Sequence, residues 1–377
     1  TWVDADGHRH SEQEIFDAVF DMIRRARRLF RLDMFLYNAF EMQIKDPLRT
    51  VSHELTEALL EQKEKHPGIT LIVITDPINT VYGSIRSPAF EMLEAAGVRV
   101  VTTDLGRLPD SNPAYSVLWR LLVKPFGRSS RNRLRNPFDP VGKISLRSYL
   151  EMLNCKANHR KVVVCDDDAT LAALVTSANP HDASSANSNV AVRFFGPAAR
   201  DLLASENAVL TLSGHDALSI PPVPEPIDPC NSVQVLTEGA IKTAALAIID
   251  RAGTDAKIDI AAFYVSDRDI IAALKRARLR GARLRLVLDP NKDAFGYDKH
   301  GIPNRPAAAE LRRANIDIRW YHTHGEQCHI KMLLAEDGQE NARLLLGSAN
   351  LTRRNLGDFN LETNVLVEGE RSSAAIR

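Results

Sequence analysis

The sequence lacks most of the features that assign a class by composition alone. Its four cysteines, Cys155, Cys165, Cys230 and Cys328, show neither the CxxC spacing of a zinc site nor the density of a disulfide scaffold, and read as free thiols. Neither sign of charge is in excess. Lys plus Arg and Asp plus Glu both number 48, so no whole-molecule field draws the chain to nucleic acid or an anionic membrane, and any anion affinity has to be local. No run approaches the roughly 20 apolar residues needed to span a bilayer, and no charged-then-apolar segment opens the chain at Thr1. What remains is ordinary: 44% hydrophobic and 25% charged over 377 residues, enough for two globular units or one large fold with a substantial core.

The chain repeats itself. Ser11 and Glu14 form a capping-box pattern before Ile15, Val19, Ile23, Ala26 and Phe30 at helical spacing, and the strand-like run DMFLYN (33–38) follows. TLIVITDP (70–77) reads as a buried strand ending in a turn, and SPAFEMLEAAGVRV (87–100) as a helix, a glycine stop and a strand. The second half replays this order with a helix over 237–251 stopped by Gly253, then DIAAFYVS (259–266), RLRLVLDP (283–290) and RPAAAELRRANIDIRW (305–320). Alternating strands and helices of these lengths predict an α/β fold, with mixed or parallel sheets covered by helices. Between the halves PPVPEPIDP (221–229) resists both helix and central strand. The expected organisation is a first repeat over 1–215, a Pro-rich linker over 216–232 and a second repeat over 233–377.

Each half ends in a similar polar constellation. In the first, HRKVVVCD supplies His159, Lys161 and Asp166, and TSAN supplies Ser177 and Asn179. In the second, HIKMLLAE supplies His329, Lys331 and Glu336, and GSAN supplies Ser348 and Asn350. Residues i and i+2 of a strand share a face, so His and Lys project together, as do Ser and Asn. Imidazole, ammonium, hydroxyl and amide groups then converge on a small anion, and phosphate fits that set. One neutral imidazole can attack phosphorus while the other, protonated, donates to the departing oxygen. No metal or cofactor is required, because the two lysines supply the charge stabilisation. His322 and His324, near His329, have no carboxylates at ligand spacing and read as a loop at the pocket mouth.

HxKxxxxD with a downstream GSxN, present twice, resembles the signature of the phospholipase D superfamily. The resemblance runs from about Ser11 to Glu368. It implies two similar α/β/α repeats packed about a pseudo-two-fold axis with the active site between them. It also implies that His159 attacks, forming a phosphohistidine, and that His329 acts as acid and then base. Three departures stand out: Glu336 replaces an Asp, Thr176 replaces the first glycine, and the downstream Asn-x-Glu is matched by Asn360 and Glu362 but only by Asn187 and Asn189 in the first half. The resemblance implies that a carboxylate such as Glu362 orients a histidine, a role Asn189 cannot fill with charge. Asp166 and Glu336 read as supporting residues, or as groups that cap a strand end or pair with a neighbouring cation.

The halves differ most at an insertion of about 105–154 before His159. It sets Tyr115, Leu118, Trp119, Leu121, Leu122, Val123 and Phe126 beside Lys124, Arg128, Arg131, Arg133 and Arg135. Such a segment suits a bilayer surface with anionic head groups. It equally suits a single strand of nucleic acid, or a helical cover with a solvated basic loop. The expectation is therefore a phosphodiesterase or phosphatidyltransferase acting on phospholipids, with a metal-independent nuclease as the alternative and a non-catalytic phosphate-binding scaffold behind both. It would meet a membrane surface through residues 115–135, peripherally or with an anchor outside these residues. No obligate protein partner is implied, since each chain holds both halves of one site.

Overall fold

The computed structural model describes residues 2–3, 6–40, 47–126, 133–139, 142–168, 170–220, 231–294, 297–298, 300–338, 340–373 and 376. The first repeat begins with helix α1 (Glu14–Arg25), which buries Phe16, Val19, Phe20, Met22 and Ile23 on one stripe. Its N-cap is Gln13, without a side-chain capping bond. Ser11 accepts a hydrogen bond from Gln13 Nε2 instead, so the expected capping box does not form. Strand β1 (Leu29–Met34) starts earlier than DMFLYN suggests and takes Phe30 out of the helix. Every residue of β1 is buried, so its pattern is a continuous run rather than an alternation.

Helix α2 (Val51–Lys65), β2 (Thr70–Thr75), α3 (Pro88–Ala95) and β3 (Arg99–Thr102) follow. Ser87 caps α3 by accepting from Phe90 N, and Gly97 at φ 81 turns the chain back into β3. The insertion contributes α4 (Pro113–Leu122) and α5 (Leu146–Met152). Then come β4 (Lys161–Asp167), β5 (Thr170–Thr176), β6 (Ala191–Phe195) and α6 (Pro197–Leu212).

The second repeat adds an edge strand, β7 (Asn231–Thr237), and then runs α7 (Gly239–Arg251), β8 (Lys257–Ala262), α8 (Arg268–Leu279), β9 (Arg283–Leu288), α9 (Asn304–Arg313) and β10 (Asp317–Trp320). It closes with β11 (Lys331–Glu336), β12 (Asn341–Gly347), the short α10 (Arg353–Leu356) and β13 (Thr363–Glu370). The prolines expected as a linker fall in 221–230, outside the described residues, as does Cys230.

The sheets repeat one plan. The first has strand order β6-β5-β4-β1-β2-β3 and the second β7-β13-β12-β11-β8-β9-β10. In each, three parallel strands (β1, β2, β3; β8, β9, β10) carry the helical crossovers; three antiparallel strands (β4, β5, β6) complete the first sheet and four (β11, β12, β13 and the edge strand β7) the second. Helices α1–α3 bury one face of the first sheet against Phe30, Leu32, Leu71 and Val73. Helices α7–α9 do the same for the second sheet over Ile258, Ile260, Leu284 and Leu286. The remaining faces meet each other, where Val162, Val164 and Val175 of β4 and β5 pack with Leu344, Leu346 and Val365 of β12 and β13, while α6 adds Leu202 and Leu203. This shared apolar layer holds the repeats together and puts the N-terminal ends of β4 and β11 at one seam.

Candidate active site

His159 and His329 each stand two residues ahead of the lysine that starts β4 or β11. The backbone of each approach is held by an aspartate at the end of a parallel strand. Asp76, after β2, accepts from Asn158 N at 2.7 Å, and Asp289, after β9, accepts from Cys328 N at 2.7 Å. The matching TDP and LDP turns thus fix the residue before each histidine. A second tie crosses between repeats: His159 N donates to Leu361 O at 2.9 Å, and Ser188 N donates to Gln327 O at 2.9 Å.

These ties bring the four motifs into one cavity of about 830 Å³, lined among others by His159, Asn179, His329 and Asn350. The imidazoles have exchanged partners. His159 Nδ1 lies 3.0 Å from the Glu362 carboxylate of the second repeat, and His329 Nδ1 lies 3.2 Å from Asn189 Oδ1 of the first. A carboxylate or an amide oxygen can only accept, so Nδ1 carries the proton in both rings and Nε2 is left as the lone-pair nitrogen. Glu362 also accepts from the Ser348 hydroxyl and from the Asn355 amide, while the Ser177 hydroxyl donates to Asn189 Oδ1 at 3.0 Å.

The two serines therefore hold the partners of the histidines and take no place on the cavity wall. The asparagines do line it. Asn179 Oδ1 accepts from Leu36 N at 3.2 Å, which leaves its NH₂ for a ligand, and Asn350 Oδ1 is buried without a hydrogen-bond partner.

Lys161 and Lys331 are buried, and each ammonium donates to the carbonyl of its own histidine at 2.7 Å. Each also sits 5.1 Å from the centre of a phenylalanine ring, Phe35 or Phe263, and the same rings lie 4.8 and 5.0 Å from His159 and His329. These aromatics match between the repeats, at the ends of β1 and β8, and sequence reading passed them by. Their signal was present as the paired Phe in DMFLYN and DIAAFYVS.

Burial dominates the electrostatics. It pushes His159 down to about 4 against the pull of Glu362, and Lys161 down to about 7. His329 falls well below its ordinary value through burial and then through the charges of Lys331, Lys161 and His159, and Lys331 falls through burial and Lys161. Glu362 is held below the usual carboxylate range: burial pushes it up, but His159 and Lys161 outweigh that. Glu362 is the carboxylate that hydrogen-bonds His159, while Asp33 and Asp76 act on Lys161, and Asp289 on Lys331, only through space.

Two expected supporting residues lie elsewhere. Asp166, near the far end of β4, accepts from the backbone N–H groups of Arg27, Arg28 and Leu29. Glu336, at the far end of β11, pairs with Lys257 at 3.5 Å and Arg371 at 3.4 Å. At about 3.3 Å per residue a strand carries position i+7 some 20 Å from its histidine, which corrects any phosphate-binding role for either carboxylate. The rings of His322 and His324 lie 4.4 Å apart, tilted at 59°, and His322 lines a separate surface cavity. Cys155, Cys165 and Cys328 are free thiols, and Cys155 lines the main cavity.

The departure at Thr176 has a local reason. In the second repeat a Cβ at Gly347 would meet Thr363 O at 2.4 Å, whereas Thr176 has room and donates to Val190 O at 2.9 Å.

A further network underlies His159. Arg160 donates to Glu206 of α6 and to Glu238 after β7, both at 2.9 Å, and Glu238 also accepts from Glu362 N at 3.0 Å. Nearby, Asp33 accepts from the Asn158 amide at 2.8 Å, and burial followed by the charge of Glu206 raises it well above the ordinary value.

Comparison with known proteins gives the same architecture. Residues 246–377 match the family described as cardiolipin synthase, PLD-like domain, about a third of the chain. The crystal structure of phosphatidylserine synthase from Haemophilus influenzae is similar at a TM-score of 0.60 and 10% identity, covering 94% of this chain and 80% of that one. Polyphosphate kinase from Porphyromonas gingivalis is similar at 0.51 and 14%, covering 93% of this chain and 42% of that one. Nuc from Salmonella typhimurium, a phospholipase D family member, is 24% identical at a TM-score of 0.30 and covers 37% of this chain and 84% of that one. No curated protein matches the sequence. At such identities the likeness of the first two is one of fold, and it spans both repeats.

Proposed function

We propose, on the premise that the chain is a phospholipase D-superfamily protein, that it cleaves or transfers the phosphodiesters of phospholipids through a phosphohistidine on His159. The observation that carries this reading is the pair of imidazoles on one cavity wall, each with Nδ1 engaged from the opposite repeat and Nε2 left as the reacting nitrogen.

Burial leaves both imidazoles neutral in the empty site, and His159 is the better nucleophile because its proton rests on a carboxylate that stabilises the cation formed as the P–N bond grows, whereas His329 has only an amide. As Nε2 of His159 attacks, the P–O bond to the leaving alcohol breaks and His329 gives that oxygen a proton. Entry of an anionic phosphate raises the depressed pKa of His329, so the proton arrives with the substrate. In the second half neutral His329 takes a proton from water or an alcohol, whose oxygen attacks phosphorus and releases His159. Lys161, Lys331 and the amides of Asn179 and Asn350 oppose the charge that builds on the non-bridging oxygens. Water as acceptor makes a hydrolase and alcohol a transferase.

The cavity supports a lipid substrate through Leu36, Ile78, Phe138, Met152, Ile302 and Pro303, which line it beside the polar cluster. A nuclease has one observation in its favour: Arg353 and Arg354 line the same cavity, and Arg353 lies 5.0 Å from the Phe359 ring centre, a cation beside an aromatic face.

Incubation with radiolabelled phosphatidylglycerol or with single-stranded DNA, followed by rapid denaturation at alkaline pH, decides between them. Label from the lipid should appear on the chain, be lost in acid, and be absent from His159→Ala. Label or cut strands from DNA alone would overturn the lipid assignment, and full turnover by His159→Ala would overturn the nucleophile.

A further inference from the structure

Helices α4 and α5 are built inside out. In α4 the buried side chains are Ser116 and Trp119, while Leu118, Leu121 and Leu122 face solvent, Leu121 at 67% exposure. In α5 the buried residue is Ser148, and Leu146, Tyr149 and the following Leu153 are exposed. Phe126, just beyond α4, is 70% exposed. Nine of the fifteen exposed large hydrophobic residues found among the described residues fall between 117 and 153, so the patch is concentrated and not scattered.

The two helices form one rigid unit through polar bonds on their inner side. Tyr115 OH donates to Leu150 O at 2.6 Å, the Ser116 hydroxyl donates to Asn154 Oδ1 at 2.8 Å, and Arg147 donates to the carbonyls of Val123 and Lys124 while lying 5.3 Å from the Trp119 ring centre. Apolar side chains are thus held outward by a hydrogen-bonded framework between the two helices.

Charge accompanies the patch. Residues 113–156 carry nine Lys and Arg against two Asp and Glu in a chain that is neutral as a whole. The unit is also continuous with the catalytic cavity, whose wall includes Met152, Cys155 and Lys156 from the end of α5 and Phe138 from the segment before it.

We propose that the outward faces of α4 and α5, with the exposed Lys124, Arg133, Arg135 and Lys143 between them, dock the protein on an anionic lipid surface and set the cavity mouth against the head groups. A helix of ten residues is about 15 Å long, too short to cross a bilayer but suited to lying in its interface. Among the described residues no helix is long and apolar enough to cross a membrane. A second copy of the chain is the less suitable occupant. A two-fold contact would press two copies of the same cations, Lys124, Arg133, Arg135 and Lys143, together, whereas anionic head groups neutralise them. The inference deepens the phospholipid reading and rests on it for the purpose of docking, but binding is measured without turnover.

The test is co-sedimentation of the full chain with vesicles of phosphatidylglycerol and phosphatidylcholine, or of phosphatidylcholine alone. The unaltered protein should pellet with the anionic vesicles and be released by raised salt. Leu121→Glu/Leu122→Glu, at exposed positions off the cavity wall, should lose that partition by at least ~10-fold. It should keep wild-type hydrolysis of the soluble diester bis(p-nitrophenyl) phosphate, which also certifies its folding. Failure of the unaltered protein to pellet at low salt, or an unchanged partition of the variant, overturns the docking face. So does a wild-type dimer that the variant dissolves without change in lipid binding. Vesicle binding with no turnover of any diester would leave the docking face standing and sink the catalytic reading.

Discussion

Asn189 Oδ1 lies 3.2 Å from Nδ1 of His329, in the place where the other histidine, His159, has the Glu362 carboxylate. Both partners fix the same tautomer, but only Glu362 brings charge. Burial, and then Lys331, Lys161 and His159, therefore depress His329 without an opposing charge on its partner. Replacing Asn189 by Asp adds a negative charge at hydrogen-bond distance, which favours the imidazolium and raises its pKa. In the proposed mechanism His329 is protonated to release the leaving group, so the alkaline limb of the single-turnover rate should move up by ~1 pH unit. The variant should also lose some stability. Asn189 Nδ2 donates to the carbonyls of Asn187 at 3.2 Å and Ser184 at 3.4 Å, and a carboxylate oxygen there would face them as a second acceptor. A pH–rate profile of N189D that superposes on the wild type would show that His329 is not the acid.

Phosphate binding should take up protons. Burial brings Lys161 to about 7 in the folded chain, against ~10.4 when unfolded, so at pH 8.5 the empty site holds it largely neutral. Between those two values the unfolded chain binds a proton that the folded chain does not, so stability rises with pH across the window and is lost as pH falls toward 7. A phosphate dianion beside Lys161 and Lys331 favours both ammonium forms and removes that slope. Titration with inorganic phosphate at pH 8.5 in two buffers of different ionisation enthalpy should give net proton uptake, one for each lysine that is neutral in the empty site. Heat independent of the buffer would mean that the lysines are already charged in the empty site.

Arg160 carries a structural load that its neighbour's chemistry conceals. It joins Glu206 of the first repeat to Glu238 of the second, and Glu238 in turn holds the backbone of Glu362. Arg160→Met would leave Glu206, fully buried and beside Asp33, without its countercharge. Breaking a buried pair from one side costs ~3–5 kcal/mol, whereas removing both members is much milder. Arg160→Met should therefore lower the denaturant midpoint strongly, and Arg160→Met/Glu206→Gln should recover a large part of the loss. Catalysis should weaken in both, because Glu362 loses one of its anchors. Equal stability of the single variant and the wild type in urea would remove this clamp from the account.

The chemistry-bearing strands were legible in the sequence because His and Lys at i and i+2 need only local geometry to share a face, and the doubling identified which pairs to believe. The exchange of partners was not. Glu362 and His159 are 203 residues apart, and their meeting depends on the sheet-to-sheet layer of Val162, Val164, Leu346 and Val365, which no local pattern announces. Ser177 and Ser348 were placed beside phosphate because hydroxyls can donate to it. The fold uses them one step back, on Asn189 and Glu362. Strand positions slipped for a similar reason: β1 is buried throughout, so the alternation that fixes a register is missing from it. The outward face of α4 was legible only as one of several readings of residues 115–135, since Leu118, Leu121 and Leu122 form the same stripe whether it faces a core or a solvent boundary.

Asp166 gives the cleanest separation of structure from chemistry. Its Oδ1 accepts from Arg28 N at 2.9 Å and Leu29 N at 2.7 Å, and both oxygens lie 3.2 Å from Arg27 N, where the chain leaves α1 and enters β1. Three backbone donors at a strand entrance would otherwise lack an acceptor, and the exposed Arg28 guanidinium 3.5 Å away adds little. Asp166→Asn keeps the shape but replaces one acceptor oxygen with a donor and removes the charge, so one backbone N–H would face an NH₂ group. The expected loss is ~1–3 kcal/mol in urea unfolding, with kcat on a soluble diester within about twofold of wild type, because the change sits at the opposite end of β4 from His159. The result that would sink this assignment is a large fall in kcat with an unchanged unfolding midpoint, since it would return Asp166 to the reacting phosphate.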